Sequence, residues 1–174
     1  LTFTATPAPR VTAFTSNASG QLVAGEQVTL TAQVQSSTAA RAVVFFRDAD
    51  NNGRWTPGVD EDLGADLNGA DGWSRTVAVS NAWAGEARVL ADAVNTQGVW
   101  TAGALRSATV NVAAPARVTG VTFSVPAARP GDTVTATAQV QAPSPVRAVV
   151  FFRDADNNGR WTPGVDTDLG ADFN

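Results

Sequence analysis

The chain contains a long internal repeat. RAVVFFRDADNNGRWTPGVDEDLGAD, from Arg41 to Asp66, returns as RAVVFFRDADNNGRWTPGVDTDLGAD, from Arg147 to Asp172, at an offset of 106 residues and with the single change of Glu61 to Thr167. Upstream, RVTAFTSNASGQLVAGEQVTLTAQVQ from Arg10 matches RVTGVTFSVPAARPGDTVTATAQVQ from Arg117 at an offset of 107, so the second copy is one residue shorter in a loop. Gaps in loops and identity in strands mark folded repeats. A period near 106 residues is too long for a solenoid unit and is the size of one β-sandwich domain.

Within one period, short segments alternate apolar and polar residues between Gly, Asn, Asp and Pro. This alternation predicts strands over 10–15, 27–35, 41–47, 62–66, 73–80, 86–95 and 105–112. In the second of these, Val28, Leu30, Ala32 and Val34 share one face and Thr29, Thr31, Gln33 and Gln35 the other, the pattern of a sheet with one wet side. No stretch of helical length carries a 3.6-residue period. The expectation is an all-β chain of tandem immunoglobulin-like β-sandwich domains, of immunoglobulin or fibronectin type. The antibody hallmarks, a Cys pair and a tyrosine corner, are absent, so the architecture follows and the particular topology does not.

The repeat also divides the chain. LTFTATP at the start aligns with ATVNVAA, 108–114, so residues 1–7 read as the last strand of a preceding repeat, 8–114 as a complete sandwich and 115–174 as the first part of the next. An incomplete sandwich exposes core and sheet edges. The expectation is therefore a segment of a longer array, or a partial domain completed by a neighbouring chain. Neighbouring repeats of the same protein, up to a homopolymeric assembly, are the expected partners, and strand 1–7 is expected to pair outside the complete sandwich. The linkers ATPAP and AAPA are short and contain Pro, which favours semi-rigid spacing.

Composition removes much chemistry. The chain lacks His, Cys, Met, Tyr, Lys and Ile, and all twelve basic residues are Arg, a bias that suggests a GC-rich bacterial genome. Without Cys and Lys there is no disulfide and no Lys–Asn isopeptide cross-link. Without His, Cys, Lys and Tyr the commonest bases and nucleophiles are missing, so the chain reads as non-catalytic. The net charge of −4 and scattered Arg residues argue against nucleic acid. The longest apolar run, Ala42 to Phe46, is far short of the roughly 20 residues that span a bilayer.

One motif carries chemistry. After the FF strand comes Asp48-Ala-Asp50-Asn-Asn52-Gly53-Arg54, followed by Asp60, Glu61 and Asp62. Oxygen ligands at positions 1, 3 and 5, Gly at 6 and a backbone carbonyl at 7 are how a tight loop wraps Ca²⁺. The candidate ligands are Asp48, Asp50, Asn52, the Arg54 carbonyl, and Asp60 or Asp62. The second copy offers Asp154, Asp156, Asn158, the Arg160 carbonyl, and Asp166 or Asp168. The same letters also make an ordinary solvated turn. Charge favours the ion, because five carboxylates between Asp48 and Asp62 repel one another without one. Zn²⁺ does not suit a site lacking His and Cys.

The loop resembles those of bacterial surface proteins with the form D-x-N-x-D-G-x-x-D-x-G-E. These occur in Ca²⁺-stabilised adhesin B-repeats and in extracellular immunoglobulin-like arrays with FYRD-x-N-G-N-G signatures followed by D-x-x-L-G. Asp71 to Ser74, DGWS, fits the second group as well. Two departures stand out: position 9 is Thr56 rather than Asp, and position 12 is Val59 with Asp60 one residue late. The resemblance implies an extracellular or cell-surface location and a structural or adhesive role, as stalk, filament or adhesin spacer, with Ca²⁺ as a staple.

The five tryptophans admit two uses. Trp55 and Trp161 sit at equivalent places in the acidic loops, and Trp73, Trp83 and Trp100 lie near strand starts or in loops. Such residues commonly cap the end of a sandwich core, but an exposed Trp can also stack on a sugar ring. A carbohydrate-binding module of an exported enzyme or scaffold is thus the alternative reading. An exposed aromatic row with polar neighbours favours it, and buried tryptophans favour the spacer.

Overall fold

The computed structural model describes residues 7–143 and 145–173. The strand expected over 1–7 thus lies outside the described residues except for Pro7. The chain divides into two compact units at the Ala114–Pro115 junction. Among the described residues, no helix is long and apolar enough to cross a membrane.

The first unit is a two-sheet β-sandwich. One sheet has the order β1-β3-β6, formed by Arg10–Ser16, Gln27–Gln35 and Trp73–Ala78. The other has the order β2-β8-β7-β4-β5, formed by Gln21–Leu22, Arg106–Val112, Gly85–Asn95, Ala40–Arg47 and Glu61–Asp66. All pairings are antiparallel except the short β2–β8 contact, which is parallel. The first, third and sixth strands oppose the rest, and β5 pairs with β4 rather than β6. In a constant-type immunoglobulin domain the strand at this position joins the other sheet.

Each expected strand is present to within two residues at either end. The added element, β2, is two residues long and too short to carry a period. Beyond β6 the pairing continues irregularly: Val79 donates its N–H to Glu26 O and accepts from Gly25 N, both at 2.9 Å, and its side chain is buried.

The core lies between the sheets. Val28, Leu30 and Ala32 of β3 face Val43 and Phe45 of β4, Val89, Ala91 and Ala93 of β7, and Val110 and Val112 of β8. Fully burying one such Val, Leu or Phe contributes about 1.5–3 kcal/mol. Val11 and Phe14 are three apart and both buried, which strict alternation forbids. A register shift between Val11 and Ala13 resolves this, because Thr12 bulges out and bonds its hydroxyl to Gln33 O at 3.2 Å. Trp83, in the 3₁₀ turn Asn81–Trp83, is only 1% exposed and donates its indole N–H to Glu61 Oε2 at 2.7 Å. Trp73 packs against the core at partial exposure. These two tryptophans play the core role.

The second unit forms strands β9 to β12 over Arg117–Phe123, Ala136–Gln141, Val149–Arg153 and Thr167–Asp172. They pair as two antiparallel ribbons, β10-β9 and β11-β12. The bulge of β1 recurs in β9, where the Thr119 hydroxyl bonds Gln139 O at 3.2 Å. The β4–β5 irregularity at Phe45/Phe46 recurs at Phe151/Phe152.

Candidate functional site

The acidic loop leaves β4 at Arg47 and re-enters the sheet at β5, so both ends are fixed by adjacent strands. Its hydrogen bonds follow from its letters. Asp48 accepts the Asn52 N–H on Oδ1 at 3.0 Å and the Gly53 N–H on Oδ2 at 2.9 Å. Asp50 Oδ1 takes the Asn52 N–H at 3.2 Å, while its Oδ2 takes the Asn52 side-chain amide at 2.8 Å and the Thr56 hydroxyl at 3.1 Å. Asn52 Oδ1 takes the Arg54 N–H at 2.7 Å. Asp60 closes the loop, accepting Ala49 N–H on Oδ1 at 2.8 Å and Thr56 N–H on Oδ2 at 2.6 Å. Asp48, Asp50 and Asn52 thus turn the chain inward by capturing backbone donors ahead of them, and Asp60 ties it back by capturing donors behind it. Asn51 sits at φ 56°, a left-handed conformation that Asn tolerates, and Gly53 follows at φ 78°.

The result is a convergence of three carboxylates. One oxygen each of Asp48, Asp50 and Asp60 lies within 4.8 Å of the others, and Asp154, Asp156 and Asp166 form the same group in the second unit. Asp62 stands apart: its Oδ1 caps the Gly64 N–H at 2.8 Å and its side chain faces a different cleft. Asp168 repeats this with Gly170 at 2.8 Å. Asn52 points its amide nitrogen at Asp50 and at Thr56 Oγ1, the latter at 2.6 Å, and Asn158 does the same toward Asp156 and Thr162 at 2.9 and 2.7 Å. Arg54 and Arg160 contribute their N–H groups to Asn52 and Asn158.

Ligands 2.3–2.6 Å from a Ca²⁺ stand at most about 5 Å apart, so the three carboxylates are close enough to share one. Each carboxylate oxygen has lone pairs left after its backbone bonds. Desolvation pushes Asp50 upward, but donors at Asn52 and Thr56 outweigh it and hold the carboxyl below its ordinary value. At Asp154 the Gly159 N–H leads, and the balance is again downward.

A cation is already at hand in the first unit. The Arg88 guanidinium of β7 lies 3.2 Å from the buried Asp48 Oδ2 and donates to Asn51 O at 3.3 Å. Arg88 was not among the residues that the sequence pointed to, since nothing in one strand's letters says which loop lies over it. Loop and sheet are further joined by Trp55, whose ring meets Phe46 edge-on at 5.2 Å between centroids. Trp161 meets Phe152 likewise at 5.5 Å.

Beside the loop, on the outer face of the five-stranded sheet, lies a cleft of about 430 Å³ lined by Val44, Phe46, Trp55, Asp62, Asp92 and Trp100. Burial pushes the Asp92 carboxyl up, and the Thr101 hydroxyl and amide oppose this more weakly. Asp92 Oδ1 is buried and accepts no hydrogen bond among the described residues. Asp92 could have been suspected from the sequence as the one carboxylate within the apolar run VLADAV.

No protein-family model matches the chain, and no curated protein matches it significantly. Among solved structures, it is similar to the fibronectin(III)-like modules of Clostridium thermocellum CbhA, at 17% identity and a TM-score of 0.40, over 93% of this chain and 74% of that one.

Proposed function

We propose that this chain is part of a non-catalytic structural array on a bacterial surface, a stalk, filament or adhesin spacer, whose repeating sandwiches are stapled by Ca²⁺ in their acidic loops. The observation that carries the reading is recurrence: the three-carboxylate group appears twice, on the same backbone-capturing loop, in copies offset by 106 residues. Near-identity of neighbouring units suits a mechanical role in which each unit does the same work. In this reading Asp48, Asp50 and Asp60, and their counterparts Asp154, Asp156 and Asp166, hold the ion. The ion ties the start of the loop to its end, a tether that Cys-free domains otherwise lack.

The test is thermal melting of the full chain in excess Ca²⁺ and in chelator. A hundredfold excess over the dissociation constant stabilises by roughly 2.7 kcal/mol, which corresponds to about 10 °C for a domain of this size. Asp50→Ala should abolish the Ca²⁺ response while the sandwich still folds. Identical wild-type melting in Ca²⁺ and chelator at low salt would reduce the loop to a turn held by its own amides and Arg88.

A further inference from the structure

The outer face of β4 and β7 is not a wet surface. Phe46 and Leu90 are covered although they lie outside the main core, and Asp92 stands among them with an unpartnered oxygen. Burying a carboxylate oxygen without a donor is costly, and apolar replacement would relieve it. In the same cleft, Trp55 and Trp100 are 44% and 50% exposed, large ring surfaces left in contact with water. Trp55 and Asp92 also line an adjoining hollow of about 760 Å³ with Asn52, Arg54, Arg88 and Thr101. The two hollows share Trp55 and Asp92 and together combine aromatic faces with carboxylate acceptors, guanidinium donors and the Thr101 hydroxyl oxygen as a further acceptor.

We infer that this groove binds a neutral carbohydrate, with a sugar ring against the Trp100 and Trp55 faces and a sugar hydroxyl donating to Asp92. Each feature matches one part of that ligand. The weakly polar C–H face of a pyranose covers an indole ring, and its hydroxyls both donate and accept, as the mixed rim requires. Volumes of several hundred Å³ accommodate one or a few rings. A cationic ligand would suit Asp62 and Asp92 alone, but Arg54 and Arg88 oppose it in the adjoining hollow. An anionic ligand meets the reverse conflict at the carboxylates.

The second unit repeats Val44, Phe46, Trp55 and Asp62 as Val150, Phe152, Trp161 and Asp168 around a cleft of about 410 Å³. Among the described residues that cleft has no counterpart of Asp92 or Trp100, so the site argued here is the first unit's. This inference is independent of the calcium reading.

The experiment titrates the full chain with four neutral hexaoses, cellohexaose, xylohexaose, mannohexaose and maltohexaose, following tryptophan fluorescence and amide chemical shifts in Ca²⁺ and, separately, in chelator. At least one sugar should bind in the millimolar range or tighter, with shifts centred on Asp92 and Trp100 and little dependence on salt. Trp100→Ala, at an exposed ring, should weaken that binding about tenfold or more with melting unchanged. The inference is overturned if no hexaose binds at about 10 mM. Equal affinity in Trp100→Ala would also overturn it. So would salt-sensitive binding of agmatine in place of the sugars, which would mark a cation site.

Discussion

A carboxylate taken out of water keeps its charge only if donors replace the lost hydration. Asp48 and Asp92 answer this in opposite ways. Asp48 has two backbone N–H groups and the Arg88 guanidinium, and its charge is met on every side. Asp92 has one oxygen with no partner, and burial raises its proton affinity. The charged groups around its groove are Asp62 on β5, Arg88 on β7 and Arg54 in the acidic loop.

The sign of the pH effect follows. A carboxyl raised in the folded state binds its proton more tightly there than in the unfolded chain, so it destabilises the fold above its folded pKa. That penalty is relieved as the pH falls toward the ordinary value of 3.8. Asp92→Asn should therefore be more stable than wild type at neutral pH, with the difference shrinking on acidification. Urea unfolding of both proteins across pH 4 to 7 measures it. Parallel curves, with no convergence at acid pH, would show that Asp92 is adequately solvated.

At the scale of the element, the β4–β5 hairpin shows how adjacent letters reach different environments. Phe45 enters the core, where its ring lies 5.9 Å from that of Phe14, while Phe46 faces outward beneath Trp55. The register shift opposite them skips Leu63, which turns inward. Gly64 follows at φ 93°, and a Cβ there would come within 2.9 Å of the Arg75 guanidinium, whose Nε donates to Leu63 O at 3.1 Å. Its counterpart Gly170 has a similar φ of 108° but nothing within 4 Å of a Cβ. Backbone strain alone costs about 1–2 kcal/mol. Gly64→Ala should therefore cost more than Gly170→Ala, since only the former must also displace Arg75. Hydrogen exchange of the two hairpins in the same chain compares them, and equal losses would mean that strain outweighs the contact.

At the scale of the molecule, the two units test what a repeated sequence means physically. Leu63 is 8% exposed and Leu169, in the same local sequence, is 64% exposed; Val28 is buried and Val134 is 40% exposed. The difference lies in the partners. In the first unit Leu63 packs into a core closed by β7 and β8, and among the described residues the second unit has no counterpart to those strands. Leu63→Ala should cost about 2–4 kcal/mol, read by denaturant unfolding. A loss below about 0.5 kcal/mol would mean that Leu63 is not held in that core.

Local letters were enough to place the strands, the inward face of β3 and the turn chemistry of the acidic loop, because alternation and Asx capture act within a few residues. They were also enough to propose Asp48, Asp50, Asn52, the Arg54 carbonyl and either Asp60 or Asp62 as ligands, though not to say which of the last two converges with Asp48 and Asp50. That choice depends on the β4–β5 register, which puts Asp62 opposite Phe46 and leaves Asp60 in the loop. The tertiary structure alone brought Arg88 to Asp48 and divided the tryptophans between core and surface. It also brought Asp92, Trp55 and Trp100 to one cleft, because those meetings join residues far apart in the chain through the packing of sheets and loops.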